Sequence, residues 1–237
     1  DENASMKIKV PKRDSDGNLV YESDGTTIVY EEKDLNDKVP MEVTLNKLGE
    51  PNTEITVEVT AEDGAIEKTY KVVIKRPYGT IRGSIHTIAT EPTTNIHKSE
   101  VRIYKSSDVE NIIEWQNVVS GSGDDVHDKL LTLTSQNYTT KDDGTYEIYV
   151  IPGTYDILLD KPGHLDHIYI SKTVTEGTTV DLGNKELIAG DFNKDGAIQG
   201  KDLALLMGVY GATDLDSIFE EKYDINDDKQ IQGKDLA

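Results

Sequence analysis

The chain has 237 residues, and 45 acidic residues against 25 lysines and arginines give a formal net charge of −20. This acid excess argues against charge-driven binding to nucleic acid or to an anionic membrane surface. The absence of cysteine excludes disulfides, a thiolate nucleophile and Cys-based metal sites. No apolar run approaches the roughly 18 residues of a membrane-spanning helix, and no signal peptide is recognisable. Asp1 in place of Met is expected of a processed chain or an excised piece, and the excess acid predicts a hard cation as its counter-charge.

Residues 1–189 have the pattern of short β-strands. The runs 53–60 (TEITVEVT) and 69–75 (TYKVVIK) alternate apolar with polar residues, which is the period of strands with one buried face. Turn signals rich in Gly, Asp and Pro separate these runs. We therefore predict a mainly β chain with two immunoglobulin-like β-sandwiches, 1–77 and 78–189, before the pattern changes at Gly190.

The first predicted sandwich carries a recognisable hairpin at 52–76, with the sequence NTEITVEVTAEDGAIEKTYKVVIKR. This hairpin resembles the closing hairpin of the cadherin-like β-sandwich modules of bacterial surface proteins. The resemblance implies a turn at 62–64 and places Tyr70 at the edge of the core. The opening strands of that family have no clear counterpart before Met6, so either they diverged or the chain begins inside the domain.

The second predicted sandwich opens with GTIRGSI at 79–85 and continues with DGTYEI at 143–148. These segments resemble the small sandwich shared by carboxypeptidase regulatory domains, Cna-B modules and the X modules of cellulosomal proteins. Residues 106–128, which include Trp115, do not match and are expected to be an insertion. The resemblance implies a structural spacer or a support for a neighbouring module.

Residues 191–202 (DFNKDGAIQGKD) match a calcium-binding loop, with oxygen-bearing residues at positions 1, 3, 5 and 12 and Gly at position 6. Calcium takes six to eight hard oxygen ligands, more than one face of a strand or helix presents, so a tight loop must fold them inward. Asp replaces the usual Glu at position 12, and its shorter side chain requires the following helix to begin closer to the ion. The predicted ligands are Asp191, Asn193, Asp195, Ala197 through its carbonyl, Gln199 directly or through water, and Asp202.

The loop is repeated at 224–235, and ten of the fourteen residues in 191–204 recur in 224–237. A duplicated loop in register is a stronger metal signal than a lone cluster of Asp, Asn and Gly, which also makes ordinary turns. Lys229 takes position 6, where positive φ favours Gly, so roughly 1 kcal/mol of strain is expected at the second site. The predicted ligands of this loop are Asp224, Asn226, Asp228, Gln230 through its carbonyl, Gln232 and Asp235.

A predicted helix at 201–210 follows the first loop, and none precedes it. This duplicated loop–helix pattern with Asp at position 12 makes residues 190–237 resemble dockerins, small all-α, EF-hand-like modules that depend on calcium and attach secreted proteins to cohesins of the cellulosome. The segment 209–213 and the preceding sandwich resemble the type II group with its X module. The resemblance implies two Ca²⁺ ions, a cohesin of a scaffoldin or cell-surface anchoring protein as partner, and an extracellular location. The second helix stops three residues in, so we expect either a cut chain or a disordered end.

The resemblance also places the cohesin contacts on the helix face that begins at loop positions 10 and 11. These contacts are Gly200, Lys201, Ala204, Leu205, Gly208, Gly233, Lys234 and Ala237. The other apolar stripe of the first helix, Leu203, Leu206 and Tyr210, is predicted to be core. Because both repeats present the same residues at positions 10 to 14, binding in either of two orientations is a hypothesis.

Other interpretations of the sequence have less support from its residues. His164 and His167 would point to opposite faces of a strand, so we interpret them as surface polar residues rather than a metal pair. No catalytic triad or acid pair is recognisable, and we expect a non-catalytic protein without nucleic-acid binding or membrane insertion. Two alternatives stay open: a non-catalytic fragment of a larger carbohydrate-active enzyme, with polysaccharide bound through the parent protein, and a surface adhesin or carbohydrate-binding protein that uses the insertion.

Overall fold

The computed structural model describes residues 5–35, 41–62, 64, 67–87, 99–107 and 135–236. The chain divides into two compact units, Asp1–Pro77 and Tyr78–Ala237. Trp115 and most of the predicted insertion lie outside the described residues, as does Ala237. Within the described ranges, every helix is too short or too polar to cross a bilayer.

The first unit contains a four-stranded antiparallel sheet in the order β2-β1-β3-β4. Its alternating pattern places Ile8, Val10 and Ile55 in a small core. The edge strand β4 is exposed along most of its length, and Tyr70 is 54% exposed, so its predicted place at the edge of the core is wrong. The strands are β1 Ser5–Pro11, β2 Tyr30–Leu35, β3 Thr53–Thr60 and β4 Glu67–Ile74.

The second unit begins with a two-sheet sandwich whose sheets have the orders β10-β9-β6-β7 and β11-β5-β8. The pairs are antiparallel except β11 with β5, which run parallel with Thr179 opposite Thr80. Residues from both sheets, including Ile81, Val101 and Ile157, share one buried core. The strands are β5 Gly79–Thr87, β6 Glu100–Lys105, β7 Gln136–Thr139, β8 Thr145–Val150, β9 Gly153–Asp160, β10 His167–Val174 and β11 Thr179–Leu187.

Beyond β11 the chain forms the helix α1 (Gly200–Gly208) and short 3₁₀ helices at Glu221–Tyr223 and Gly233–Asp235. Leu206 of α1 is buried in a second core, together with Phe192, Ala212, Tyr223, Ile225 and Ile231. Leu203 is 50% exposed and Tyr210 is 47% exposed, so the predicted core stripe is wrong at both positions. The helix packs through the side that carries the buried residues Asp202 and Leu206, and Val209, just after the helix, packs against the same core.

The sandwich contacts the C-terminal segment through the turn 161–166, which follows β9. The Gly190 N–H donates to the Gly163 carbonyl at 2.7 Å, and the Leu165 N–H donates to the Ile188 carbonyl at 2.8 Å. His164 also pairs with Ala189 in an isolated β-bridge. The predicted boundary at residue 189 therefore falls inside the second unit, and a separate domain after it stays a prediction.

Candidate calcium-binding loops

Three carboxylates converge in the first loop. Oxygen atoms of Asp191, Asp195 and Asp202 all lie within 4.8 Å of one another. Asp191 and Asp202 are each 1% exposed, and Asp195 is 8% exposed. Burying three anions so close together is costly unless a cation compensates them, because each ion loses its hydration.

The loop backbone orients the side chains at positions 1 and 3. The Asp191 carboxylate accepts the backbone N–H groups of Asp195 at 3.1 Å and Gly196 at 3.0 Å. The Asn193 side-chain oxygen also accepts the Asp195 N–H, at 3.0 Å. Gly196 has φ of +79°, the left-handed turn for which glycine is favoured at position 6. Each side chain is thus held by backbone a few residues further along the loop.

Asp202 closes the loop from the first turn of α1. Its Oδ1 accepts the backbone N–H groups of Phe192 at 2.9 Å and Asn193 at 3.2 Å, and its Oδ2 accepts the Gln199 N–H at 3.0 Å. The helix begins at Gly200, so the short Asp side chain reaches the loop as its position 12 requires. The Gln199 amide nitrogen donates to Asp195 Oδ2 at 3.1 Å, which brings position 9 to the same carboxylate.

The second loop repeats this network. Asp224 accepts the N–H groups of Asp228 at 3.1 Å and Lys229 at 2.8 Å. Asp235 accepts from Ile225 at 2.9 Å and from Gln232 at 2.8 Å. The Gln232 amide nitrogen reaches Asp228 Oδ2 at 3.0 Å, and the Asn226 amide reaches the same oxygen at 3.0 Å. The carbonyl positions of the two loops are Ala197 and Gln230.

Lys229 has φ of +64°, the left-handed value that the sequence predicts for position 6. Its backbone N–H still makes the bond to Asp224 that Gly196 makes to Asp191. A lysine in this conformation carries backbone strain that glycine avoids, so the same geometry is costlier in the second loop.

Burial and hydrogen bonding act in opposite directions on the loop carboxylates. Burial raises the pKa of Asp191 to about 6 and also raises the pKa of Asp224. The side-chain hydrogen bond from Asn193 lowers the pKa of Asp195. Burial opposes the same effect at Asp228, where hydrogen bonds from Asn226 and other donors still lower the pKa. This donor set, made of hard carboxylate and amide oxygens, suits Ca²⁺.

The predicted partner-binding residues lie on exposed surface wherever the structure describes them. Those on α1 are Gly200, Lys201, Ala204, Leu205 and Gly208, and those on the last 3₁₀ helix are Gly233 and Lys234. Lys201 Nζ lies 3.7 Å from Asp195 Oδ2, and Lys234 Nζ lies 3.5 Å from Asp228 Oδ2. The two lysines thus hold equivalent places beside their loops.

Sequence reasoning missed Lys194, at position 4 of the first loop. Its Nζ lies 2.6 Å from Asp160 Oδ1 and 2.7 Å from Asp166 Oδ1, and it donates to the carbonyls of Lys161 and His164 at 2.9 Å each. Burial acts against the ammonium, but Asp166 and Asp160 raise the pKa of Lys194 overall, so it stays charged. The available signal was position 4 itself, where the repeats differ in charge.

His164 belongs to the same turn and is 1% exposed, so its interpretation as a surface residue is wrong. Its Nδ1 lies 2.9 Å from the Pro162 carbonyl oxygen, and burial lowers the pKa of His164 to about 4. The ring is therefore neutral at pH 7 and serves as packing in this turn. His167 lies on β10 with its ring edge-on to Tyr169, the centroids 4.6 Å apart.

Comparison with known protein families gives a match over the first unit. Residues 2–77 match the cadherin-like beta sandwich domain. This match covers less than half of the chain and leaves the C-terminal loops outside it. No curated protein matches the sequence.

Solved structures with a similar fold include type II cohesin–X–dockerin complexes from Acetivibrio cellulolyticus. An N-terminal interface mutant is 22% identical over 67% of this chain and 90% of that chain, with a TM-score of 0.46. A C-terminal interface mutant is 19% identical over the same shares, with a TM-score of 0.44. The minor pilin GBS52 of Streptococcus agalactiae is 14% identical over 78% of this chain and 82% of that chain, with a TM-score of 0.28. These values are too low to carry a functional argument.

Proposed function

We propose that residues 190–237 form a dockerin, which calcium holds folded and which binds a cohesin of a scaffoldin or cell-surface anchoring protein. The protein would then be a non-catalytic, extracellular assembly component, with its sandwiches as spacers or supports. The observation that carries this proposal is the repeated loop. Two twelve-residue segments place buried carboxylates at positions 1 and 12 and bind them with the same backbone donors.

One Ca²⁺ ion per loop would be held by the residues at positions 1, 3, 5, 7, 9 and 12. The ion would neutralise carboxylates that are otherwise buried side by side, and its binding would supply folding free energy to a segment with a small core. The second core supports this role, because it contains few residues and three of them, Phe192, Ile225 and Ile231, belong to the loops themselves.

The cohesin surface of the proposal is the exposed face of α1 with Lys201, Ala204 and Leu205, and its equivalent around Lys234. The side chains of Lys201 and Lys234 are 67% and 63% exposed, which leaves both ammonium groups available to a partner. Apolar side chains flanked by lysines give a mixed surface, and protein interfaces combine an apolar centre with a polar rim. Duplication of the surface is the basis of the two-orientation hypothesis.

The test is a pull-down of the full chain against a panel of cohesins, with calcium and with excess chelator. Capture in calcium and its loss in chelator are expected. Lys201→Glu and Lys234→Glu should each retain binding, because the other repeat remains, and the double variant should lose it. Lys141→Glu, a charge reversal at an exposed sandwich position, is the matched control.

Both loop lysines lie near carboxylates, so the calcium affinity of the double variant is measured alongside. Loss of cohesin capture with calcium affinity retained supports the proposed surface. Complete loss from either single variant contradicts two-orientation binding. A double variant that binds like the unaltered chain contradicts the surface itself.

A further inference from the structure

The two loops differ most at position 4. Lys194 and Asp227 both have left-handed backbone, with φ of +59° and +56°. The same turn of the chain therefore presents a cation in one loop and an anion in the other. Asp227 is exposed, whereas the Lys194 side chain is 19% exposed.

Lys194 extends from the loop into the sandwich. Its ammonium group has four acceptors within 2.9 Å, two carboxylates and two carbonyls, all from residues 160–166 at the end of β9 and in the turn that follows. The Asp160 and Asp166 side chains are 12% and 19% exposed. Charge-assisted bonds in such a sheltered place are stronger and less screened than surface ion pairs.

The position of Lys194 in the chain gives this contact a consequence for the metal loop. Lys194 lies between Asn193 and Asp195, the residues at positions 3 and 5, so fixing its side chain restricts the backbone on both sides. Gly190, just before position 1, is bound to the same turn through Gly163. The first half of the loop is thus held in its ligand-bearing conformation by the sandwich before any ion arrives.

We infer that Lys194 is a positioning residue that makes the two calcium sites unequal: the sandwich pre-organises the first loop for Ca²⁺ and is stabilised in return, while the second loop lacks this support. The inference rests on the proposed calcium role of the loops. Pre-organisation lowers the ordering cost of binding, and linkage requires that calcium at the first loop strengthens the Lys194 contacts to the same degree. Strain at Lys229 adds to the difference between the sites.

The charge of Lys194 makes the inference sharply testable. A nearby ammonium group repels Ca²⁺, so simple electrostatics predicts tighter binding when the charge is removed. Pre-organisation predicts weaker binding. The two effects have opposite signs in a single measurement. A general loss of packing near the loop would also weaken binding, and hydrogen exchange in residues 160–166 distinguishes it from the loss of the Lys194 contacts.

The experiment measures the calcium affinity of each site by titration calorimetry on the full chain, with the other site disabled. Calcium is the only ligand added. Asp228→Ala leaves the first site and Asp195→Ala leaves the second. We expect the first site to bind at least roughly tenfold more tightly than the second, a difference of about 1.4 kcal/mol. Lys194→Asn, which tolerates the left-handed backbone, should weaken the first site to within about threefold of the second.

Asp227→Asn is the matched control, since it places the same residue at the same position of the other loop; it should leave the first site unchanged and weaken the second only slightly, because Asp227 is an exposed charge that solvent screens. Asp166→Asn removes one of the two carboxylates that bind Lys194 and keeps Asp160. It should weaken calcium binding at the first site by a smaller factor than Lys194→Asn does, and it takes the place of that variant if Lys194→Asn does not fold. Hydrogen exchange provides a second measurement. Calcium should slow exchange in 160–166 of the unaltered chain, and Lys194→Asn should abolish that effect.

Equal affinities at the two sites, or tighter binding in Lys194→Asn, would overturn the inference and leave the calcium role intact. Absence of calcium binding at both loops would overturn the proposed calcium role as well. Failure of every cohesin to bind, with the affinities as expected, would overturn only the proposed partner.

Discussion

The α-carbon of Gly163 lies so close to the carbonyl oxygen of Lys222 that an added Cβ would be 2.2 Å from that oxygen. Gly163 also has φ of +73°, where a side chain is strained. The sandwich turn thus approaches the backbone just before the second loop, and only glycine permits the contact.

Replacing Gly163 with alanine should therefore destabilise the second unit by about 2–4 kcal/mol, from backbone strain and a clash with backbone that cannot rotate away. Gly177→Ala is the control, since its φ is +70° with nothing within 4 Å of the added Cβ, and it should cost only about 1 kcal/mol. Urea unfolding of both variants measures the difference. Equal costs would show that the contact with Lys222 yields without penalty.

Leu203 and Leu206 of α1 differ in burial, which predicts different mutational costs. Leu206 is 1% exposed within the second core, and Leu206→Ala should lower the free energy of unfolding of the C-terminal segment by about 2–4 kcal/mol. Leu203 is 50% exposed, and Leu203→Ala should cost less than about 1 kcal/mol. Thermal unfolding in calcium is the measurement. A larger loss from Leu203→Ala would restore the stripe that the sequence predicts.

Stability should fall in mild acid through His164. Its pKa is about 4 in the fold against 6.5 ordinarily, so between these values the unfolded chain binds a proton that the folded chain does not. Stability is therefore lost as pH falls through this window, by about 2 kcal/mol between pH 7 and pH 5 at most. His164→Asn keeps a donor for the Pro162 carbonyl and does not titrate.

The measurement is urea unfolding of the calcium-saturated chain at both pH values, and comparison with His164→Asn cancels the contribution of calcium release, which both proteins share. His164→Asn should lose less stability than the unaltered chain over the same interval. Identical pH dependence in the two proteins would show that the imidazole is hydrated or charged in the fold.

Removing calcium should destabilise residues 190–236, the second loop most, because the first loop keeps its contacts to the turn 161–166. Both sandwiches should stay folded, because their apolar cores are formed by other residues. Limited proteolysis and hydrogen exchange in excess chelator locate the change. Magnesium at the same concentration is the control, since it prefers six ligands at shorter distance and should restore less protection. Unchanged protection of the loops after chelation would contradict the calcium role.

The convergence of the loop side chains could be predicted from local spacing. A loop of this kind consists of twelve consecutive residues, so the side chains that it brings together can be predicted without knowing the fold. The helix was harder, because the sequence predicts both Leu203 and Leu206 to be core and only Leu206 is buried. Burial of Leu206 depends on Phe192 and Tyr223, which only the folded chain brings to the helix.

The burial of Lys194 could not be predicted from local spacing either. A lysine at a variable position of an acidic loop normally suggests solvent, and its carboxylate partners lie 28 and 34 residues earlier in the chain. Their meeting requires the turn after β9 to pack on the loop. The burial of His164 was not predicted for the same reason, because it comes from segments that follow β11.

The parallel pairing of β5 with β11 bears on how the second unit forms. These strands lie about 100 residues apart, so their pairing closes a long loop and carries a substantial entropic cost, which slows folding more than it weakens the folded state. During synthesis the sheet lacks its partner strand until residue 187 has left the ribosome, and β5 waits as an unpaired edge. The segment that follows β11 emerges next, so the turn 161–166 gains its contacts with Gly190 and Lys194 only once the sheet can close.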